Sequence, residues 1–393
     1  MALLPLAIPA GVVKNGTEFQ QANSWNDANL IRWYEGNMQP VGGWRSRTTS
    51  QMTGLCRAII TYNDNSGNRR TVAGTHSKLY VIDEANAVHD ITPTSFTAGD
   101  ADAVQNMGYG GLTYGTNGWG TPRPDTGSYT PATTWSLAPW GEYALGCSSK
   151  DGKIYQWANA TGTIAAVLSN APTNNNAIVV TEERFVFALG ASGVHNQIKW
   201  SDQENNNLWA AATTNQAGDF ILNSGGDLLA GYPMRGETLL LSTTDAHVAR
   251  YQGPPFVYGF QKVGDGCGAI SANACAIADG FAVWMGRNSF HIYDGSLRTL
   301  RCTVGDYLFT NLNESQRSKV FAYHNSTFDE VWWFYPQGNE NSHYVAWNYS
   351  ENTWTIGSLG RTAGVGQGIF QYPTLVTSDG YLYEHEVGFS YDD

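Results

Sequence analysis

The chain has 393 residues, 42% of them hydrophobic, enough to bury a sizeable core and to exclude a disordered tail. Only 14% are charged, Gly numbers 44 and aromatics reach 13%, a balance of short strands and tight turns rather than of helical bundles. Twenty-two basic against 34 acidic residues give a net charge of −12, which excludes a protein that wraps tightly around phosphates but not one that lets DNA pass ungripped.

The opening MALLPLAIPAGVV does not read as a secretion signal, because its first positive charge, Lys14, follows the apolar run and Pro5 and Pro9 interrupt any helix. It reads as an extended strap. No stretch approaches the roughly 18 consecutive apolar residues of a membrane helix, so a soluble chain is expected. NLIRWYEGNMQPVGGWRSR follows, a locally basic, sticky arm in an acidic chain. Its Trp33, Tyr34 and Trp44 offer large apolar contact area, and Arg32, Arg45 and Arg47 can fork onto carboxylates. These six are candidate interface residues; the alternative is that they only close the fold on itself.

Beyond residue 50 a pattern recurs: an apolar strand, a turn of Gly, Ser, Asp or Asn, then a strand closing on an aromatic, as in TVAGTHSKLYVID, YALGCSSKDGKIYQW and LVTSDGYLYEHE. The closing aromatics are Tyr80, Tyr155, Trp200, Tyr251, Tyr293, Trp347 and Tyr383, with gaps of 75, 45, 51, 42, 54 and 36 residues. All but the first lie near the roughly 40 to 50 residues of a propeller blade. One hairpin cannot bury its own apolar face, whereas sheets packed around an axis bury both faces. The sequence predicts an all-β chain, a β-propeller of six or seven irregular blades, with an N-terminal arm over 1–50 and the propeller over 51–393.

The long first gap holds a Gly- and aromatic-rich segment, read as a projecting loop at about 95–131 whose Tyr109, Tyr114 and Trp119 are further contact candidates. Its glycines do not follow a strand into a helix, so they are no dinucleotide fingerprint. NDNSGN, 63–68, has calcium-like donors but no twelve-residue loop, and reads as a hairpin turn. One short helix is expected around 313–320, with Asn311 or Asn313 as its N-cap. Cys56, Cys147, Cys267, Cys275 and Cys302 show no Cys-x-x-Cys pair and read as small buried hydrophobes in a reducing compartment. No nucleophile elbow, His-Glu-x-x-His or P-loop is present, and His76, His195, His247, His291, His324, His343 and His385 are scattered about one per repeat. Neither a catalytic site nor a cofactor or metal is expected. The KDG (150–152) and SDG (378–380) turns are similar to the Asp boxes of sialidases, but SSKDGKIYQW misses the Ser-x-Asp-x-Gly-x-x-Trp spacing.

The order of strap, Asn29-Leu30-x-Arg32-Trp33-Tyr34-Glu35-Gly36, Pro40-x-Gly42-Gly43-Trp44-Arg45-x-Arg47 and repeated hairpins resembles the tail hub or nozzle, also called packaged-DNA stabilisation, proteins of short-tailed bacteriophages. Residues 261–302 extend the likeness with a Gly-containing turn, a small-residue strand and a strand pair. The resemblance implies a non-enzymatic virion protein, found in the virion tail and, during assembly, in the host cytoplasm. It implies a ring of copies, a hexamer, beneath the portal-adaptor protein, with needle, fibre or tailspike proteins around or below it. That ring would continue the DNA channel, retain the genome and pass it at ejection, with acidic side chains facing the lumen. Family members continue into a further β domain past the point where GFSYDD stands. The alternative is a carbohydrate- or receptor-binding propeller with aromatics such as Trp119 and Trp332 as stacking platforms; a glycosidase, needing two facing carboxylates, ranks lower.

Overall fold

Short apolar runs punctuated by turn residues become short antiparallel strands, and the computed structural model, which describes residues 8–17, 19–105 and 129–391, gathers them into seven four-stranded sheets around an axis. Six sheets are made of consecutive strands. Blade 1 starts with Cys56–Asn63, blade 2 with Trp135–Trp140, blade 3 with Ala177–Val180, blade 4 with Leu228–Met234, blade 5 with Cys275–Ala278 and blade 6 with Phe321–Asn325. The seventh contains Ala363–Val365, Thr374–Val376 and Leu382–His385, and its fourth strand is Trp44–Ser46 from the N-terminal arm. Trp44 pairs with His385, Arg45 with Glu384 and Ser46 with Tyr383, so the two ends of the chain close the ring.

Each of the seven closing aromatics lies on the third strand of its own blade, from Tyr80 on Leu79–Ile82 to Tyr383 on Leu382–His385. The blade count is seven. The outsized first gap arises because the chain leaves blade 1 after Val88–Asp90 and re-enters only at Trp135–Trp140. This excursion forms a small ladder, Val104–Gln105 against Tyr129–Thr130. Tyr109, Tyr114 and Trp119 lie outside the described residues.

Why the blades pack is plainest in Glu330–Pro336, the second strand of blade 6, where every residue is buried. Val331, Trp333 and Tyr335 join the core shared with blade 5, while Trp332 and Phe334 join the core shared with blade 7. A strand that alternates faces between two neighbours must be apolar throughout, and each buried aromatic is worth about 1.5–3 kcal/mol. Tight turns let the strands return at once. Gly152 of KDG sits at φ 60, where a Cβ would lie 2.6 Å from Asn174 Cα, and Gly380 of SDG at φ 82, where it would lie 2.4 Å from Met52 O.

The expected helix is a 3₁₀ turn, Glu314–Lys319, capped by the Asn313 side chain on the Ser315 amide. The α-helix lies just before it, Gly305–Asn311, with no side-chain cap at Val304. Burial of Leu308 in the core between blades 5 and 6 holds it, a tertiary contact that no local signal carries.

Candidate functional site

Two features distinguish this propeller from a bare ring of blades: the seam where the arm closes blade 7, and a second strap, residues 101–105 and 129–133 of the excursion between blades 1 and 2, which reaches from Arg57 on blade 1 to Gln316 and Lys319 ahead of blade 6.

At the seam, Ile31–Tyr34 pairs with Asn37–Pro40 as a hairpin. Arg32 of that hairpin is almost wholly buried. Its Nη1 donates to Glu386 Oε2 at 2.9 Å, its Nη2 contacts Glu386 Oε1 and lies 3.2 Å from Glu330 Oε2, and its guanidinium covers the Phe328 ring at 3.7 Å. Glu386 also accepts from the Gly42 amide and from Asn325 Nδ2, both at 3.0 Å. Burial opposes the charge on Arg32, but the two carboxylates outweigh it and raise its pKa. One cation cannot balance two carboxylates. Burial pushes Glu330 up to about 7, against the pull of Arg32 and the 2.8 Å hydrogen bond from Trp332 Nε1, so Glu330 is the member of the triad that takes a proton.

The other arm residues divide between inside and outside. Trp33 is buried, with Trp25 beside it at 6.5 Å. Trp44 is buried between His385 and Tyr391, with ring centroids at 5.4 and 4.5 Å. Tyr34 meets Phe328 edge-on, and Arg47 donates to Asn86 Oδ1 at 2.8 Å while stacking on Phe370 at 3.8 Å. Burial, with Arg69 adding repulsion, lowers Arg47 to about 10 in spite of Glu384. Arg45 remains mostly in solvent, with its side chain 61% exposed and one ion pair to Glu384 at 2.7 Å. Within this chain, then, Arg32, Trp44 and Arg47 serve closure, Trp33 packs into the core of blades 5 and 6, and Arg45 faces outward. The partners of Arg32 and Trp44 lie about 300 or more positions away, and no signal in the sequence points to Glu330 or Glu386.

At the axis lie the first strands of all seven blades. They surround a cavity of about 360 Å³ whose wall is chiefly apolar: Ile60, Leu137, Ile178, Val180, Leu229 and Phe321. Among the described residues no acidic side chain lines it. The strap is tied down by ion pairs. Arg57, buried at the top of the first inner strand, forks onto Glu340 at 2.7 and 2.8 Å and also donates to Ala101 O at 2.9 Å. Lys319, whose side chain is fully buried, contacts Asp102 and lies 3.6 Å from Glu340, and Gln316 exchanges two hydrogen bonds with the Ala103 backbone. Burial works against the charge on Glu340, but Arg57 and Lys319 hold its pKa below the usual value.

The remaining sequence candidates resolve as structure. Asp64 of NDNSGN accepts from the Ser66 and Asn68 amides at 3.0 and 2.8 Å, a hairpin turn, and these donors with Asn159 overcome burial to lower its pKa. Asp151 of KDG holds Tyr155 OH at 2.6 Å. Trp332 is 1% exposed and stacked on Tyr344 at 4.4 Å, so it is no sugar platform; a strand buried on both faces hides it. Trp119 lies outside the described residues. All five cysteines are free, and burial pushes the Cys267 thiol up to about 11 and Cys302 up to about 12. Among the described residues no group of three His, Cys, Asp or Glu could hold a metal, and no helix is long and apolar enough to cross a membrane.

No protein-family model matches the chain, and no curated protein matches its sequence. Solved structures do match in shape. Virginiamycin B lyase from Staphylococcus aureus superposes with a TM-score of 0.51 at 7% identity, over 87% of this chain and 98% of the other. Its catalytically inactive histidine-to-alanine variant with quinupristin gives 0.51 at 6%, with the same coverage. The β-propeller domain of Cps50 (Swd1) from Myceliophteria thermophila gives 0.50 at 9%, over 87% and 100%. The chain is a seven-bladed β-propeller. At these identities the likeness speaks to fold and not to activity, and one of the folds it matches belongs to a lyase.

Proposed function

We propose that this propeller is a structural protein of a bacteriophage tail, a hub or nozzle subunit that assembles with copies of itself into a ring. The ring continues the portal DNA channel, retains the packaged genome and passes it during ejection. The observation that carries the reading is that residues 29–36 and 40–47, which bear the resemblance to the hub proteins, form one device: a hairpin anchored by Arg32 and the strand that closes blade 7.

Two further points favour it. DNA does not thread the propeller itself, because a duplex whose major groove alone is about 12 Å wide cannot enter a cavity of 360 Å³. Passage therefore runs between copies, each with a net charge of −12 that discourages phosphate trapping. Glu330, raised to about 7 by burial, is engaged with Arg32, as an ion pair that serves folding is, which fits a structural part. The neighbours in this reading are a portal-adaptor protein above and needle, fibre or tailspike proteins around or below.

The test is to add the purified protein to DNA-filled heads lacking it, image the portal vertex and assay DNA leakage. A symmetric ring with retained DNA is expected; absence of binding with leakage unchanged would turn the assignment toward a receptor-binding propeller.

A further inference from the structure

We propose that the outer edge of blade 3, Gly218–Ile221, is a docking surface for a second copy of this chain, the two edges pairing antiparallel about a two-fold axis. Every blade ends in an outer strand whose far side can take another strand, and natural sheets guard such edges by shortness, charge, bulges or a cover. The outer strand of blade 1, Val88–Asp90, has three residues, and that of blade 2, Ala166–Val167, has two. Blade 4 presents Lys262 on Val257–Asp265 and shifts register against its neighbour, and blade 5 presents Arg298 on Leu297–Leu300. On blade 6 the Val12 amide of the N-terminal strap donates to Trp354 O at 2.7 Å, and on blade 7 the Trp44 amide donates to Ser390 O at 3.0 Å, so both edges are covered.

Blade 3 has none of these devices. Gly218–Ile221 keeps an unbroken register with Gln197–Trp200, holds no Lys, Arg or Pro, and pairs with no further strand among the described residues. Phe220 is 45% exposed and Ile221 57%. Ile198 and Trp200, the cross-strand partners of Phe220 and Gly218, lie in the core shared with blade 4, so Phe220 faces blade 4 while Asp219 and Ile221 face the other way. On that face Phe220 stacks on Phe260, with ring centroids 4.7 Å apart and planes at 13°. A two-fold axis normal to the sheet keeps each side chain on its own face, so the strand meets its copy in few registers. Centred on Asp219, the pairing sets two carboxylates against each other, which is unfavourable. Centred on Phe220, it sets that ring against Phe220 of the second copy and carries the Phe260–Phe220 stack across the axis. Asp219 then keeps its hydrogen bond from Gln197 Nε2 at 3.0 Å. The edge is complementary to itself, and that names the occupant. A four-residue edge is a small contact, under the roughly 1,200 Å² of a stable interface, so the pairing is reversible on dilution. It goes beyond the ring proposed above, whose head-to-tail contacts need two other surfaces: the edges join two copies, or two rings back to back.

The experiment is sedimentation equilibrium of the full chain over a micromolar concentration series, comparing the wild type with Phe220→Lys and Ile221→Lys, each of which sets a cation on the edge, and with Val167→Lys on the edge of blade 2 as control. The wild-type mass is expected to approach twice that of both edge variants at the top of the series, whatever ring the chain forms through other contacts, and Val167→Lys to keep the wild-type mass. Circular dichroism checks the fold, and Ile221→Lys decides the matter should Phe220→Lys fail to fold. Equal masses for the wild type and a folded edge variant would overturn the inference and leave the ring to its own test at the portal vertex. A halved mass in Val167→Lys would overturn it as well, since the contact would then not be confined to blade 3.

Discussion

Blades 3 and 7 contain the same number of strands and close in opposite ways. Blade 3 is one continuous meander from Ala177 to Ile221, so each strand pairs with the one just made. Blade 7 waits for Trp44–Ser46, whose Arg45 meets Glu384 across 339 positions of chain. Loop-closure entropy works against that last pairing, and only three residue pairs form in the ladder itself. The difference teaches where stabilisation must be concentrated: a three-residue strand cannot hold a ring shut alone, and beside a buried tryptophan the seam adds a buried Arg–Glu–Glu triad, for which blade 3 has no counterpart.

The sharpest way to break that comparison is Arg32→Ala. It strands Glu330 and Glu386 in the core and is expected to cost about 3–5 kcal/mol in urea denaturation at pH 8. The loss should shrink at pH 5, where the abandoned carboxyls can take protons. Next in size, Trp44→Ala removes the side chain packed between His385 and Tyr391 and is expected to cost about 3 kcal/mol by the same measurement. Its effect should fall on the seam, whereas Trp200→Ala in blade 3 should loosen the core between blades 3 and 4, where Trp200 packs.

Glu330→Gln sharpens the comparison in the opposite direction. The Glu330 pKa is raised from 4.5 to about 7, so its contribution to stability is fully present below pH 4.5 and is lost as pH rises through 7. The neutral amide keeps an oxygen for Arg32 and Trp332 and is expected to stabilise the chain at pH 8 by up to about 3 kcal/mol, with no gain at pH 4. Thermal melts across that range check it. The smallest effect is expected from Arg45→Ala, which should leave the melting temperature unchanged because the pair with Glu384 is solvated. If Arg45 faces a neighbouring copy in the proposed ring, the same variant weakens ring assembly in sedimentation velocity.

The sequence makes the blades legible through their third strands. From Tyr80 to Tyr383 an aromatic follows each turn, because that position packs between neighbouring sheets in every blade. It also makes legible the turns around Asp64, Gly152 and Gly380, whose chemistry is local. What it hides depends on distance along the chain. Nothing near Arg32 announces Glu330 or Glu386, and nothing in WRS says that this strand belongs beside LYEH. The helix Gly305–Asn311 escapes for a related reason, being held by the burial of Leu308 rather than by a cap. Trp332 misleads because one buried residue of a fully buried strand looks, in sequence, like any surface aromatic.

The most direct measurement is hydrogen–deuterium exchange on the wild-type protein and Arg32→Ala, following peptides that contain Trp44–Ser46, Leu382–His385 and Ala177–Val180. In the wild type all three are expected to be protected; in the variant the first two should accelerate together while Ala177–Val180 stays slow. Rapid exchange at Trp44–Ser46 in the wild-type protein, or uniform acceleration of all three in the variant, would contradict the account that the arm locks the ring through Arg32.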